Sequence, residues 1–115
     1  MSFNIQYVKL KLYRATSSAK LDVLYFGKEI GSLCIDYCKG ERIHIYNFGI
    51  NQPFRHLGIG RKALRYIKEL YKDRSITLGV EKANNIAFNL YKSEDFKIKE
   101  DCGYYYMMEF NQLKK

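Results

Sequence analysis

Glycines at positions 58 and 60, flanking Ile59 and following Arg55-His56-Leu57, are the residues of this chain that most directly imply chemistry. Successive backbone N–H groups where a helix begins carry the positive end of its dipole and hold anions. Glycine leaves no Cβ between those groups and a phosphate. The same glycines also suit a turn with a purely geometric purpose, and the residues alone leave both readings open. A dinucleotide fingerprint is a third reading. Gly58-x-Gly60-x-x-Ala63 fits G-x-G-x-x-A, and Glu81 lies about 20 residues further on. Against it, residues 51–57 separate the loop from the preceding strand, and only one strand–helix–strand unit follows.

Few other side chains could move protons or hold a ligand. His44 is one of only two histidines. With an ordinary pKa near ~6.5 it accepts a proton at neutral pH, directly or through water. It reads equally as a hydrogen-bonded sheet histidine. Glu41 and Glu81 read as solvated turn residues and are weaker bases. Asn84 suits either a helix N-cap or an amide holding a ligand. Tyr91, beside Leu90 in a helical run, reads by itself as a core aromatic. Cys34 and Cys38 share a strand face at about 13 Å, given ~3.3 Å per residue, too far for one zinc. No metal is expected. Three cysteines make a poor disulfide framework, so reduced thiols and a cytoplasmic location are expected.

The elements that would position these groups follow from periodicity. Residues 3–13 alternate apolar and polar, as a half-buried strand does. Leu21 to Phe26 and Glu29 to Cys38 read as strands joined at Gly27-Lys28. Arg42 to Phe48 alternates again, which sets His44, Tyr46 and Phe48 on one face, and Gly49 suggests a bulge or close backbone approach. Beyond Gly58, apolar Ile59, Ala63, Tyr66, Ile67 and Leu70 fall at helical spacing, with Arg61, Lys62, Arg65 and Lys68 on a solvated face. Ser75 to Val80 is a short strand, parallel to the one before the helix. A second helix carries Ala83, Ala87 and Leu90, and Lys97 to Phe110 forms a last hairpin around Asp101-Cys102-Gly103. An antiparallel meander followed by one parallel crossover makes an α+β fold, a mixed and mostly antiparallel central sheet with two helices. All 115 residues fit one domain.

Two motifs now act together. Ile50-x-x-Pro53-Phe54-Arg55-x-x-Gly58-Ile59-Gly60 resembles the acyl-coenzyme A loop of the GNAT N-acetyltransferase superfamily. Asn84-x-x-Ala87-x-x-Leu90-Tyr91, then Phe96, resembles that family's second motif, in the right order and with a strand between. The resemblance spans roughly Arg42 to Phe96. It implies acetyl-CoA as acetyl donor, with its pyrophosphate on the N–H groups from Leu57 to Arg61. It places the pantetheine between splayed strands 4 and 5, paired with the backbone of Phe48 and Ile50 and held by Asn84. Arg55, His56 and Arg61 complete the donor site. Tyr91 matches the family's acid, which protonates the departing sulfur, and His44 falls where some members carry their base. Asp95 stands where the family usually has glycine.

The family normally places two helices after its first strand. The segment from Ala15 to Lys20 is too short for them, so the acceptor side is minimal. The acceptor is then a protein bringing its own surface, or a second subunit, as in a homodimer, completes the pocket. A small-molecule amine is also compatible with the motifs, as is a non-catalytic binding module with the same fold. The net charge of +8 implies an anionic partner without choosing it. Tyr104-Tyr105-Tyr106 could stack on nucleotides, but adjacent strand residues point to alternate faces, and nucleic acid is not expected as a partner. No apolar run is long enough for a membrane span or signal peptide.

Overall fold

A computed structural model describes residues 8–14, 17–55 and 57–113. The strands are β1 (Val8–Arg14), β2 (Ser18–Tyr25), β3 (Lys28–Cys38), β4 (Arg42–Ile50), β5 (Ser75–Glu81), β6 (Lys97–Asp101) and β7 (Tyr105–Asn111). Helix α1 (Ile59–Leu70) joins β4 to β5, and α2 (Asn85–Ser93) joins β5 to β6. Among the described residues these strands form one sheet in the order β1-β2-β3-β4-β5-β7-β6. Only β4 and β5 run parallel; every other neighbouring pair is antiparallel. This is the mixed α+β arrangement expected from the alternation of residues. The expected first strand is described from Val8 onward, and residues 1–7 lie outside the described set.

Alternate residues decide which face is buried. Leu21, Leu33, Ile35, Ile43, Ile45, Ile76 and Leu78 are buried on one face, where Ile59, Ala63, Leu64 and Ile67 of α1 and Tyr91 of α2 join them. Both helices therefore cover the same face, as two right-handed crossovers running in one direction require. The intervening residues, including Cys34, Asp36, His44 and Tyr46, belong to the other face. Among the described residues no helix covers it.

The first hairpin turns one residue earlier than Gly27-Lys28. Tyr25 pairs with Lys28, leaving Phe26 and Gly27 as a two-residue loop with φ of 50° and 81°. Such a loop needs positive φ at both positions, which matches the strand twist but strains a bulky residue. Phe26 is 68% exposed and retains an edge contact to Tyr25 at 4.5 Å. Phe26→Asn is expected to stabilise the fold by about 0.5 kcal/mol, relief of strain outweighing the lost ring contact. Thermal melting would read this as a Tm rise of roughly 2–4 °C, and an unchanged or lower Tm would contradict it.

Candidate active site

The site begins where the sheet stops being regular. β4 and β5 pair from Arg42↔Ser75 to Ile45↔Leu78 and then part. Beyond that point β5 stays with β7 and β4 stays with β3. On β4 one surplus residue enters the ladder: Cys34 pairs with Tyr46, yet Ser32 pairs with Gly49. The surplus sits at Asn47, whose φ of 50° is left-handed, a conformation Asn tolerates better than most residues. The bulge shifts the alternation by one. Phe48 and Ile50 consequently join the helix-covered face, and the expectation that Phe48 shares a face with His44 and Tyr46 is corrected. Asn51 N–H donates to the Ile30 carbonyl on β3 at 2.7 Å, so alternation turns the backbone groups of Phe48 and Ile50 toward the edge that β5 has left. Of these, the Ile50 carbonyl already accepts a hydrogen bond from Arg55 Nε at 2.8 Å.

Helix α1 starts directly beneath this edge. Gly58 is its N-cap at φ 81°, with no side-chain cap and no acidic residue in the first turn. The first intrahelical bond runs from Lys62 N–H to the Gly58 carbonyl, leaving the N–H groups of Ile59, Gly60 and Arg61 without helical partners. A Cβ on Gly60 would lie 3.4 Å from Leu90 Cδ2 and 3.8 Å from Phe48 Cζ, so Gly60 faces the narrow passage between β4 and α2. Leu57 is exposed and outside this passage. His56 lies outside the described residues.

Helix α2 supplies the opposite wall. Asn84 Oδ1 accepts from Ala87 N–H at 3.1 Å, so the side chain is an N-cap through its oxygen. Its amide NH2 remains a donor, and Asn84 lines the cleft. Two residues before the helix end, Tyr91 is buried against Phe96, with ring centroids 6.0 Å apart. Burial pushes its phenol above the usual tyrosine range. The cleft, about 860 Å³, brings together Phe48, Ile50, Arg55, Gly58, Ile59 and Gly60 with Arg61, Asn84 and Tyr91. Asp95, φ 68°, makes the left-handed turn into Phe96 that glycine would otherwise make.

Sequence reasoning missed Glu94. It is buried at 5% exposure and lies between the helices. Arg61 donates to Oε2 at 2.6 Å, Arg65 donates to both carboxylate oxygens at 3.1 and 3.2 Å, and Lys68 bonds the Glu94 carbonyl. Burial works against the charged form, but hydrogen bonds from Arg65 and Arg61 outweigh it and hold the carboxyl below its ordinary value. The reading of Lys68 as solvated is thereby corrected, whereas Arg61 and Arg65 pair with Glu94 while staying partly and largely exposed. The three recur at positions i, i+4 and i+7 on the flank turned toward α2, and a lone acid at the end of the next helix was the available signal.

His44 stands apart from the cleft, on the sheet face opposite α1 and α2. Its Nδ1 lies 2.9 Å from Thr77 Oγ1, which also accepts from Arg42 at 3.0 Å and lies 3.4 Å from the Ile43 carbonyl. A hydroxyl has one proton and two lone pairs. With its proton on the carbonyl, both lone pairs accept, one from Arg42 and one from His44 Nδ1–H. His44 Nε2 then carries the free lone pair. Burial, then Arg42, lowers the imidazole pKa against the opposing pull of Asp36, so His44 is neutral at pH 7. Among the described residues no group of three or more His, Cys, Asp or Glu side chains is placed to hold a metal ion. No described helix is long and apolar enough to cross a membrane.

The sequence profile of the acetyltransferase (GNAT) family matches residues 9–96. This chain belongs to the GNAT family. Solved structures agree on the fold of the GNAT domain. The PaiA N-acetyltransferase of Thermoplasma acidophilum, in complex with coenzyme A, superposes with a TM-score of 0.76 at 18% identity, over 83% of this chain and 61% of that one. The GNAT domain described here thus spans about three-fifths of that relative. The ribosomal-protein-S18-alanine N-acetyltransferase of Escherichia coli gives 0.78 at 15% identity, covering 89% and 74%. A GNAT acetyltransferase of Elizabethkingia anophelis with acetyl-CoA bound gives 0.79 at 13%, covering 91% and 98%. Among curated protein sequences none matches.

Proposed function

We propose that the chain is an acetyl-CoA-dependent N-acetyltransferase acting on a primary amine. One observation supports the reading: the start of α1 with its free N–H groups, the parted end of β4 and Tyr91 line one cleft. The residues fit the donor. An uncapped helix start accepts a pyrophosphate, with Arg55 and Arg61 adding charge beside it. The amide NH2 of Asn84 and the backbone of Phe48 suit the amides of a pantetheine arm, and Gly60 keeps the passage open for it. Relatives of the same fold bind coenzyme A or acetyl-CoA. The bound donor would supply an activated acetyl thioester; no metal is required.

The chain's own groups then do the rest. Neutral His44 takes a proton from the incoming ammonium through its free Nε2, directly or through water, so the amine can attack. As nitrogen bonds to the carbonyl carbon and the carbon–sulfur bond breaks, Tyr91 gives its proton to the leaving sulfur; the nitrogen's second proton returns through water to the Tyr91 phenolate, and the proton held by His44 passes to solvent. Burial keeps that phenol protonated across neutral pH. His44 must be unprotonated to act, so kcat/KM is expected to fall on the acid side, with its midpoint below the ordinary imidazole range. His44→Gln should abolish that limb, and a limb that persists in the variant would remove His44 from the base role.

Calorimetry with coenzyme A tests the donor site, and intact mass analysis of proteins and amines incubated with labelled acetyl-CoA tests transfer. Binding with transfer supports the reading. Absence of binding ends it, and binding without transfer to any amine makes the chain a cofactor-binding module.

A further inference from the structure

Glu94 is the C-cap of α2, and both of its backbone groups are fixed. Its N–H donates to the Leu90 and Tyr91 carbonyls at 3.1 Å each, and its own carbonyl accepts from Lys68. From this anchor the buried carboxylate reaches the first turns of α1. Oε2 accepts from Arg61 Nη1 at 2.6 Å, and Arg65 bonds both oxygens. The two arginines differ in where they stand. Arg65 is outside the cleft wall, with 65% of its side chain exposed, whereas Arg61 lines the cleft. Arg61 also contributes one of the free backbone N–H groups at the helix start. Among the described residues Glu94 is the only partner of its guanidinium, which leaves the remaining donors of that fork for an anion. A guanidinium is planar and rigid, so a bond at one Nη fixes the direction of all five N–H groups.

We infer that Glu94 is a positioning residue for the donor site: it holds the Arg61 guanidinium at the start of α1 and so sets the affinity for the phosphate part of the donor. The inference rests on the acetyltransferase reading and deepens its donor site. Two effects oppose each other. An arginine already held in place spares the incoming donor the loss of that side chain's rotamer freedom, which favours binding. A carboxylate near a phosphate repels it, which disfavours binding. Arg65 and Lys68 decide between them. Arg65 bonds both carboxylate oxygens and Lys68 Nζ lies 3.6 Å from Oε1, so the charge of Glu94 is answered without drawing on Arg61. Arg61 keeps its positive charge for the donor, and orientation prevails. Loss of the acid must then weaken binding rather than tighten it. A simple tie between α1 and α2 would act alike on every ligand of the cleft, whereas a positioned arginine acts only on ligands that carry phosphate.

The test compares two ligands, coenzyme A by calorimetry and pantetheine, the same thiol arm without phosphates, by NMR titration. Glu94→Gln is expected to raise the Kd for coenzyme A about 5- to 10-fold and to change that for pantetheine by less than about 2-fold. Arg61→Ala should raise the Kd for coenzyme A about 10-fold or more. In the Arg61→Ala background, Glu94→Gln should add less than about 2-fold, because the residue through which it acts is gone. Unchanged or tighter binding of coenzyme A by Glu94→Gln overturns the inference. So does an equal loss for both ligands, which marks a tie between helices, and so does a full additional loss in the double variant. If melting shows Glu94→Gln unfolded, Glu94→Asp, which keeps the charge but withdraws it by one methylene, must weaken coenzyme A selectively or the inference falls. A wild-type chain that binds no coenzyme A overturns the acetyltransferase reading and this inference together, whereas wild-type binding that is indifferent to Glu94 overturns this inference alone.

Discussion

Tyr91→Phe is expected to lower kcat by about 100-fold or more while changing the affinity for coenzyme A by no more than about 2-fold. The substitution removes one oxygen and leaves the ring packed on Phe96 and α2 in its helical register. Among the described residues that oxygen makes no hydrogen bond, so its loss orphans no partner, and the fold should lose less than about 1 kcal/mol. Function loses more. A thiolate leaving along this wall of the cleft has to be met by a proton, and the buried phenol is the protonated group there. Stopped-turnover assays with saturating acetyl-CoA, alongside calorimetry, separate the two. Equal losses in binding and turnover would mean that Tyr91 shapes the cleft rather than serving as acid.

Gly31→Ala is expected to be the most damaging single methyl in the chain. A Cβ there would lie 2.5 Å from the Gly49 carbonyl oxygen, 2.8 Å from Ile50 Cδ1 and 3.0 Å from Ile50 Cα. Two of these are backbone atoms, so no rotamer change relieves the clash, and β4 must move away from β3 where it borders the cleft. The cost is put at about 3 kcal/mol, a Tm loss of roughly 10–20 °C. Gly49→Ala, two residues past the bulge, is the control. A Cβ at Gly49 meets nothing within 4 Å and should change stability by less than about 0.5 kcal/mol. If the two variants melt alike, β3 and β4 do not approach as closely here as described.

The contrast between these glycines explains what could and could not be read from residue order. Alternation located β2 to β5 and the last hairpin because one buried face imposes a period of two. Helical spacing located α1 because its apolar stripe meets the sheet. Gly58 and Gly60 were legible because a helix start that binds an anion has few chemical solutions. Asn84 and Tyr91 became legible only through family resemblance, since a cap and a core aromatic look the same with or without a ligand. The phase of Phe48 was lost at Asn47, a polar residue at the parity of buried Ile43 and Ile45, whose left-handed φ takes it out of the ladder. Glu94 was lost because its partners are 26 to 33 positions away. Gly31 was lost because its reason for being glycine lies on the neighbouring strand.

The surplus residue at Asn47 has a consequence for how such a site can be gained or lost. Removing Asn47 would restore the two-residue step between Tyr46 and Gly49 and leave Phe48 and Ile50 where they are, whereas taking Asn47 into the ladder as a paired residue would slip the register by one and turn Phe48 and Ile50 over to the face of His44. Their backbone groups would rotate with them, away from the gap and toward β3. The resulting strand would be straighter and better paired, and it would have nothing left to offer a ligand. The open edge of β4 therefore depends on one residue staying out of the ladder, and the change to which it is most exposed is a β-branched residue at position 47, which resists the left-handed φ that Asn47 adopts.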